Sequence, residues 1–230
     1  MRYVTLISLA LCALLTGCSA LPYAHQIDKT VLMEVLGVDA GVGETVTVTA
    51  ASGARSGDQD PLVLSAQAGT ISAACAAMGH RGEDSVFFGD VEQVLVGEEE
   101  ARRGLEPLLG HMARDPELRL EAELWVVKGT EAAQLLLEAG EGESLPERLS
   151  AMSRNAELLG GPRPQMARGA LTDLLENGAT LLPALERREA EDGQGAQGEY
   201  VLEAAGYAVI RDGVLQGFTD QAAAFGADLL

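Results

Sequence analysis

Val86-Phe87-Phe88-Gly89-Asp90-Val91-Glu92-Gln93-Val94-Leu95-Val96-Gly97 is the stretch whose reading decides the fold. Its second half is rich in β-branched residues and stops at a glycine, as a strand does. Glu98-Glu99-Glu100 then put negative charge in the first turn of a helix, where the macrodipole favours it. Ala101, Leu105, Leu108, Leu109 and Met112 share one helical face, and Pro107 breaks or restarts the helix near Gly104, so two short helices are expected. Arg114-Asp115-Pro116-Glu117 is turn chemistry, because Pro116 fixes its own φ and pushes Asp115 out of the helical region. Leu120 to Val127 alternates like a strand with one face more apolar, presenting Leu120, Ala122, Leu124 and Val126 to a core helix. Thr130 is placed to cap a further helix with Ala133, Leu136 and Leu137 on one face and Gly140 at its end. Strand, helix, strand, helix in this order predicts an α/β (mixed α+β) fold, a mixed β-sheet with flanking helices.

Outward from this block, Val31 to Asp39 and Thr45 to Ala50 read as two strands joined by Gly41-Val42-Gly43, a hairpin. No helix opens after that Gly-x-Gly and no third glycine follows at nucleotide-binding spacing, so the turn reading stands. Ser52 to Asp60 reads as an exposed loop, Leu62 to Ser65 as an apolar run, and Thr70 to Met78 as a helix. Helices are expected near Glu147 to Leu159 and Gly169 to Asn177, with a short strand from Thr180 to Leu185. The charged, glycine-bearing residues 186–199 read as a linker or exposed loop. Tyr200 to Ile210 and Val214 to Phe218 flank Arg211-Asp212-Gly213, a hairpin with an Asp-Gly turn. The expected organisation is therefore an N-terminal α/β domain over 18–185, the linker, and a hairpin and helix over 200–230 that open an incomplete second domain.

Residues 1–17 read as a lipoprotein signal peptide. One positive charge, Arg2, precedes an apolar stretch of about a dozen residues that ends in small ones. A permanent membrane-spanning helix needs roughly 20 apolar residues, so this is a leader. Leu15-Thr16-Gly17-Cys18 resembles a lipobox, with Cys18 as the lipid attachment site. Two or more acyl chains hold a protein to a bilayer at ~0.8 kcal/mol per buried methylene.

The chain carries 16 basic and 35 acidic residues, a formal charge of −19, and loses its one leader charge to become −20 on cleavage. That excess excludes a nucleic-acid partner, which needs a basic stripe, and excludes a polybasic hold on anionic lipid. Of three cysteines, Cys12 lies in the leader and Cys18 is committed to lipid. Cys75 is left alone to pack as a small hydrophobe. His25, His80 and His111 lie far apart and lack a second ligand at metal spacing. No Gly-x-Ser-x-Gly, Walker loop, Cys-x-x-Cys or His-Glu-x-x-His is present. Carboxylates abound, but mostly in solvated runs such as Glu98 to Glu100, Glu141-Gly142-Glu143 and Glu189 to Asp192, and aromatics to stack a sugar are few. No catalytic, cofactor-binding or metal residue is assigned.

The chain resembles the GerAC-like lipoproteins, the C subunits of bacterial spore germinant receptors. The block from Val86 to Leu109, continuing through Arg114-Asp115-Pro116-Glu117-Leu118-Arg119 to Val126-Val127-Lys128-Gly129, is similar to the family's aromatic–glycine step into a strand, its following helix, its turn and its next strand. Gln26-Ile27-Asp28 and Leu36-Gly37-Val38-Asp39 look like its opening strand, and Ala205 to Phe218 resembles its hairpin. Ser19-Ala20 stands where the family commonly has Trp-Asp, and family members are usually longer, which gives the expectation of a form lacking a C-terminal domain. The resemblance implies a non-enzymatic receptor subunit, anchored through Cys18 on the extracytoplasmic face of the spore inner membrane. Its implied partners are membrane-embedded A and B receptor subunits. The alternatives are a solute-binding lipoprotein of a transport system and a cell-envelope hydrolase.

Overall fold

A computed structural model of the chain describes residues 30–53, 61–79, 85–138, 144–159, 161–189 and 200–219. The opening hairpin forms as expected, from β1 (Thr30–Ala40) and β2 (Val46–Ser52), and β3 (Val63–Ala68) extends it antiparallel. Arg103 ties the hairpin turn down, donating to the carbonyls of Thr45 and Gly41, both at 3.0 Å. Ser52, expected in a loop, is the buried last residue of β2; residues 54–60 lie outside the described residues. Helix α1 (Ile71–Gly79) then leads through β4 (Ser85–Phe87), which pairs with β1, to β5 (Gln93–Gly97).

The two short helices are α2 (Glu98–Arg103) and α3 (Glu106–Met112), separated at Gly104, with Pro107 in the first turn of the second. Next come β6 (Glu123–Lys128), α4 (Ala132–Glu138), α5 (Leu145–Leu159), the two-residue β7 (Gln165–Met166) and α6 (Ala167–Asn177). The chain closes on β8 (Ala179–Glu189), β9 (Tyr200–Arg211) and β10 (Val214–Phe218). These strands make one mixed sheet in the order β10-β9-β8-β6-β5-β1-β2-β3. The centre, β8-β6-β5-β1, is parallel, and antiparallel strands continue it on both sides.

Helices cover both faces, as a parallel centre requires. Leu124 and Val126 of β6 share one core with residues of α1, α2, α3 and α6, while Trp125 and Val127 share the other with Ala132, Leu135, Leu136, Leu145 and Leu149 of α4 and α5. β6 is thus buried on both faces, where its sequence suggested one. Two bulges adjust the register, one in β1 between Met33 and Val35 and one in β8 between Pro183 and Leu185. The second accommodates Pro183, which has no N–H to give to the ladder.

α4 differs from expectation in phase and in cap. Ala132, Leu135 and Leu136 are buried, whereas Leu137 is 66% exposed. Thr130 bonds to Gln134 within the segment, and the first N–H groups of the helix are taken by Asp39 of β1. Gly140 lies outside the described residues.

The segment read as a linker begins inside β8. Glu186 to Glu189 pair with β9, and their charges are satisfied laterally: Lys128 and Arg188 on Glu186, Glu138 on Arg187, Glu203 on Arg188. Residues 190–199 lie outside the described residues. Tyr200 to Phe218 form the expected hairpin, with Asp212 at φ 51° and Gly213 at φ 77° in its turn. It pairs with β8 in the same sheet instead of opening a second one.

Candidate functional site

The α4/α5 face of the sheet carries a polar arrangement at each end of the parallel strands. At their C-terminal ends Asp39, 2% exposed, accepts the N–H of Ala132 on Oδ1 and of Ala133 on Oδ2, each at 2.8 Å. Burial holds its carboxyl above the usual carboxylate range, outweighing the two hydrogen bonds that favour the ionised form. Glu98 is held down by Arg102 at 2.6 Å and by the N–H of Gly129 at 3.1 Å, although burial opposes this. These acids are committed to joining β1, β5 and β6 to the helices that follow. They are structural joints.

At the strand starts the arrangement is less complete. Gln93, the first residue of β5, is 3% exposed and lies on the α5 side, opposite in direction to Val94 and Val96. Its Nε2 donates to Ser150 Oγ at 3.1 Å, and Oε1 has no partner among the described residues. One turn along α5, Ser153 donates to Glu123 Oε2 at 2.5 Å. Gln93, Glu123, Ser150, Ser153 and Arg154 line an open cleft of about 370 Å³. Glu92, Ser150 and Arg154 also line an adjoining cleft of about 540 Å³, together with Glu34 and Glu147. Burial, then the carboxylates of Asp90, Glu92 and Glu147, push the Glu34 carboxyl up.

A third cleft, of about 560 Å³, lies between the β1–β2 turn, the start of α1 and α3. His111 lines it, with Nε2 3.7 Å from Asp115 and no hydrogen-bond partner among the described residues; burial lowers its pKa, against the opposing pull of Asp115. Arg114 lines this cleft too, while Arg119 lines the groove under α5 and pairs with Asp90 at 3.5 Å. The two arginines of the turn thus face different clefts. Cys75 is half-buried on α1, and burial pushes its thiol up to about 12.

Cys18, His25 and His80 lie outside the described residues. Sequence reasoning did not single out Gln93, Ser150, Ser153 or Arg154. One signal was present: Gln93 is a polar residue in a run otherwise apolar enough for a strand covered on both faces. The α5 residues gave no comparable sign. Among the described residues, no group of three or more His, Cys, Asp or Glu side chains is placed to hold a metal. Nor is any helix there long and apolar enough to cross a membrane.

The spore germination protein N-terminal domain matches residues 24–187. The chain belongs to that family. The match spans β1 to most of β8, so it takes in both clefts under α5 as well as the Asp39 joint. The chain is also 26% identical over 234 residues to YfkR of Bacillus subtilis (strain 168), a protein named for spore germination. That alignment covers 95% of this chain and 58% of YfkR, so the chain spans less than two thirds of its relative's length. No solved structure matches significantly. A germination-related role follows from the family, which is one of germination proteins and not a known enzyme family.

Proposed function

We propose that this chain is a non-enzymatic subunit of a spore germinant receptor, held on the extracytoplasmic face of a membrane by lipid on Cys18 and assembled with membrane-embedded A and B subunits. The family match over residues 24–187 carries this reading. The commitment of Asp39 and Glu98 to backbone N–H groups supports a scaffolding role for the strand ends, where α/β enzymes usually place their chemistry. The competing solute-binding reading asks for two lobes closing on a cleft. The described residues from Val31 onward cluster as one compact unit, which favours the receptor subunit.

The test is affinity purification of the tagged full chain from spore membranes. Two multi-pass proteins are expected to co-purify, and Cys18→Ala is expected to move the chain to the soluble fraction and abolish labelling by a radioactive fatty acid. Recovery of the chain without multi-pass partners overturns the receptor assignment; unchanged labelling of Cys18→Ala overturns the anchor.

A further inference from the structure

One corner of the sheet is left bare on the α5 face. Side chains alternate along β1, so Leu32 points away from Val31 and Met33, which belong to the core under α1, and toward the face that carries α5. In β4, which pairs with β1, Val86 packs on that same core and turns Phe87 to the α5 face as well. Both are uncovered there, Leu32 at 46% and Phe87 at 39% exposure. The Phe87 ring lies across Gly89, where a Cβ would stand 2.2 Å from it, so the glycine leaves the ring room at the surface.

Uncompensated negative charge lies beside this apolar pair. Glu34, two residues on from Leu32, accepts the N–H of Gly53, yet its carboxyl stands above the usual range, first through burial and then through Asp90, Glu92 and Glu147. Asp90 has Arg119 at 3.5 Å, whereas Glu34, Glu92 and Glu147 have no cation among the described residues. Gln93, next to Glu92 in the chain, is buried and lines the cleft with its Oε1 unpartnered among the described residues. A buried acceptor left in this way carries a desolvation penalty, which the N–H of an incoming cation removes.

An anion is disfavoured, because carboxylates outnumber arginines along both clefts. A metal ion lacks its ligand cluster among the described residues, and a small cation leaves Leu32 and Phe87 in water. We propose that the corner formed by Leu32, Phe87, Glu34 and Glu92 docks a basic, amphipathic segment of another protein chain, its apolar side chains on Leu32 and Phe87 and its Lys or Arg side chains between Glu34, Glu92 and Gln93. The contact takes apolar surface out of water and replaces like-charge crowding by attraction. Arg154, exposed on α5 where it lines both clefts, repels the partner's cations and so restricts where they lie. The inference does not rest on the receptor reading.

The probe is a labelled, blocked peptide, acetyl-Lys-Leu-Lys-Phe-Arg-Leu-Lys-amide, titrated with the full chain in non-ionic detergent and read by fluorescence anisotropy. It is expected to bind with a Kd of about 100 μM or tighter, and more weakly as salt rises. Counterparts with Ser in place of Leu and Phe, or with Glu in place of the cations, are expected to bind at least about tenfold more weakly. Leu32→Ser with Phe87→Ser is expected to weaken binding by about tenfold or more, and so is Glu34→Gln with Glu92→Gln, which keeps an acceptor for the Gly53 N–H. Glu44→Gln with Glu106→Gln removes the same charge at exposed positions away from the corner and is expected to leave the affinity within about twofold, since distant charges are screened. Arg154→Gln is expected not to weaken it. Absence of binding in this range overturns the proposal, as does equal binding of the Ser counterpart or a loss of affinity in Arg154→Gln. A loss in Glu44→Gln with Glu106→Gln as large as in Glu34→Gln with Glu92→Gln also overturns it, because the attraction then belongs to the chain's overall charge of −19.

Discussion

Asp39 and Gly97 occupy adjoining space so closely that a Cβ built on Gly97 would lie 2.1 Å from Asp39 Oδ1. The glycine is what lets the carboxylate lie across β5 and reach both N–H groups at the start of α4. Gly97→Ala is therefore expected to displace Asp39 and leave buried polar groups unpaired. The cost is about 1–3 kcal/mol, read from urea unfolding. A loss under about 0.5 kcal/mol, the scale of ordinary surface substitutions, means that Asp39 does not form this joint.

The same carboxylate gives a pH dependence whose sign is fixed by its surroundings. Burial raises the folded pKa of Asp39 above its ordinary 3.8, and burial likewise raises Glu34 and Glu100. In the window between the ordinary and the raised values the native state binds more protons than the unfolded one. Stability from these groups is full below that window and falls as pH rises through it. Asp39→Asn is expected to flatten this decline while lowering stability at neutral pH by about 1–3 kcal/mol, because its amide accepts only one of the two helix N–H groups well. Thermal melts across pH 3 to 7, where ordinary carboxylates titrate, check both. An unchanged slope in the variant sinks the assignment.

Local patterns in the sequence were enough for the elements they govern. The β1–β2 hairpin, the β5 strand ending at Gly97, the break between α2 and α3 and the Asp212-Gly213 turn all formed where glycine, proline and β-branching placed them. What the sequence hid is non-local. The cap of α4 comes from Asp39, 93 residues upstream, so Thr130 looked like the better candidate. Glu186 to Glu189 looked like a solvated run because their partners, Lys128 and Glu203 among them, come from neighbouring strands. The groove was equally hidden, since Gln93 and Ser150 lie 57 residues apart.

Cys75 is predicted to be inert. Its thiol is pushed up to about 12, mainly by burial, so almost no thiolate exists near neutrality, and the thiolate is the nucleophile. Iodoacetamide at pH 8 should leave Cys75 unmodified in the folded chain and alkylate it in urea, as peptide mass spectrometry will show. Rapid modification without denaturant contradicts the packing of α1.

Arg114 and Arg119 flank a turn that explains itself locally, since Asp115 Oδ1 accepts the N–H of Glu117 at 2.9 Å. Among the described residues Arg119 has only the exposed pair with Asp90, and Arg114 faces a different cleft. Arg114→Ala and Arg119→Ala are expected to change stability by ~1 kcal/mol or less together and to act additively, as separated sites do. On the proposed receptor reading, co-purification with membrane subunits should survive. A double mutant that melts normally yet loses its partners makes this turn the interface.

The last prediction concerns where the folded unit ends. If 200–218 opened a second domain, a chain stopping at residue 199 would keep its fold and its melting temperature. In the structure that cut removes β9 and β10 from the sheet and strips cover from Leu182, Ala184 and Leu185 of β8, all now buried. Leu202, Ile210 and Leu215 leave the core with them, at about 1.5–3 kcal/mol of burial each. Two ties to the rest of the molecule also go: the carbonyl of Gly213 that accepts from Leu105 at 2.8 Å, and Tyr207 Oη that accepts from the N–H of Arg163 at 2.7 Å. Net stabilities are only about 5–15 kcal/mol, so losses on this scale consume most of the margin. The shortened chain is expected to lose its cooperative melting transition and to bind a hydrophobic dye. If it melts as the full chain does, β9 and β10 are dispensable to the sheet and the boundary belongs near residue 186 after all.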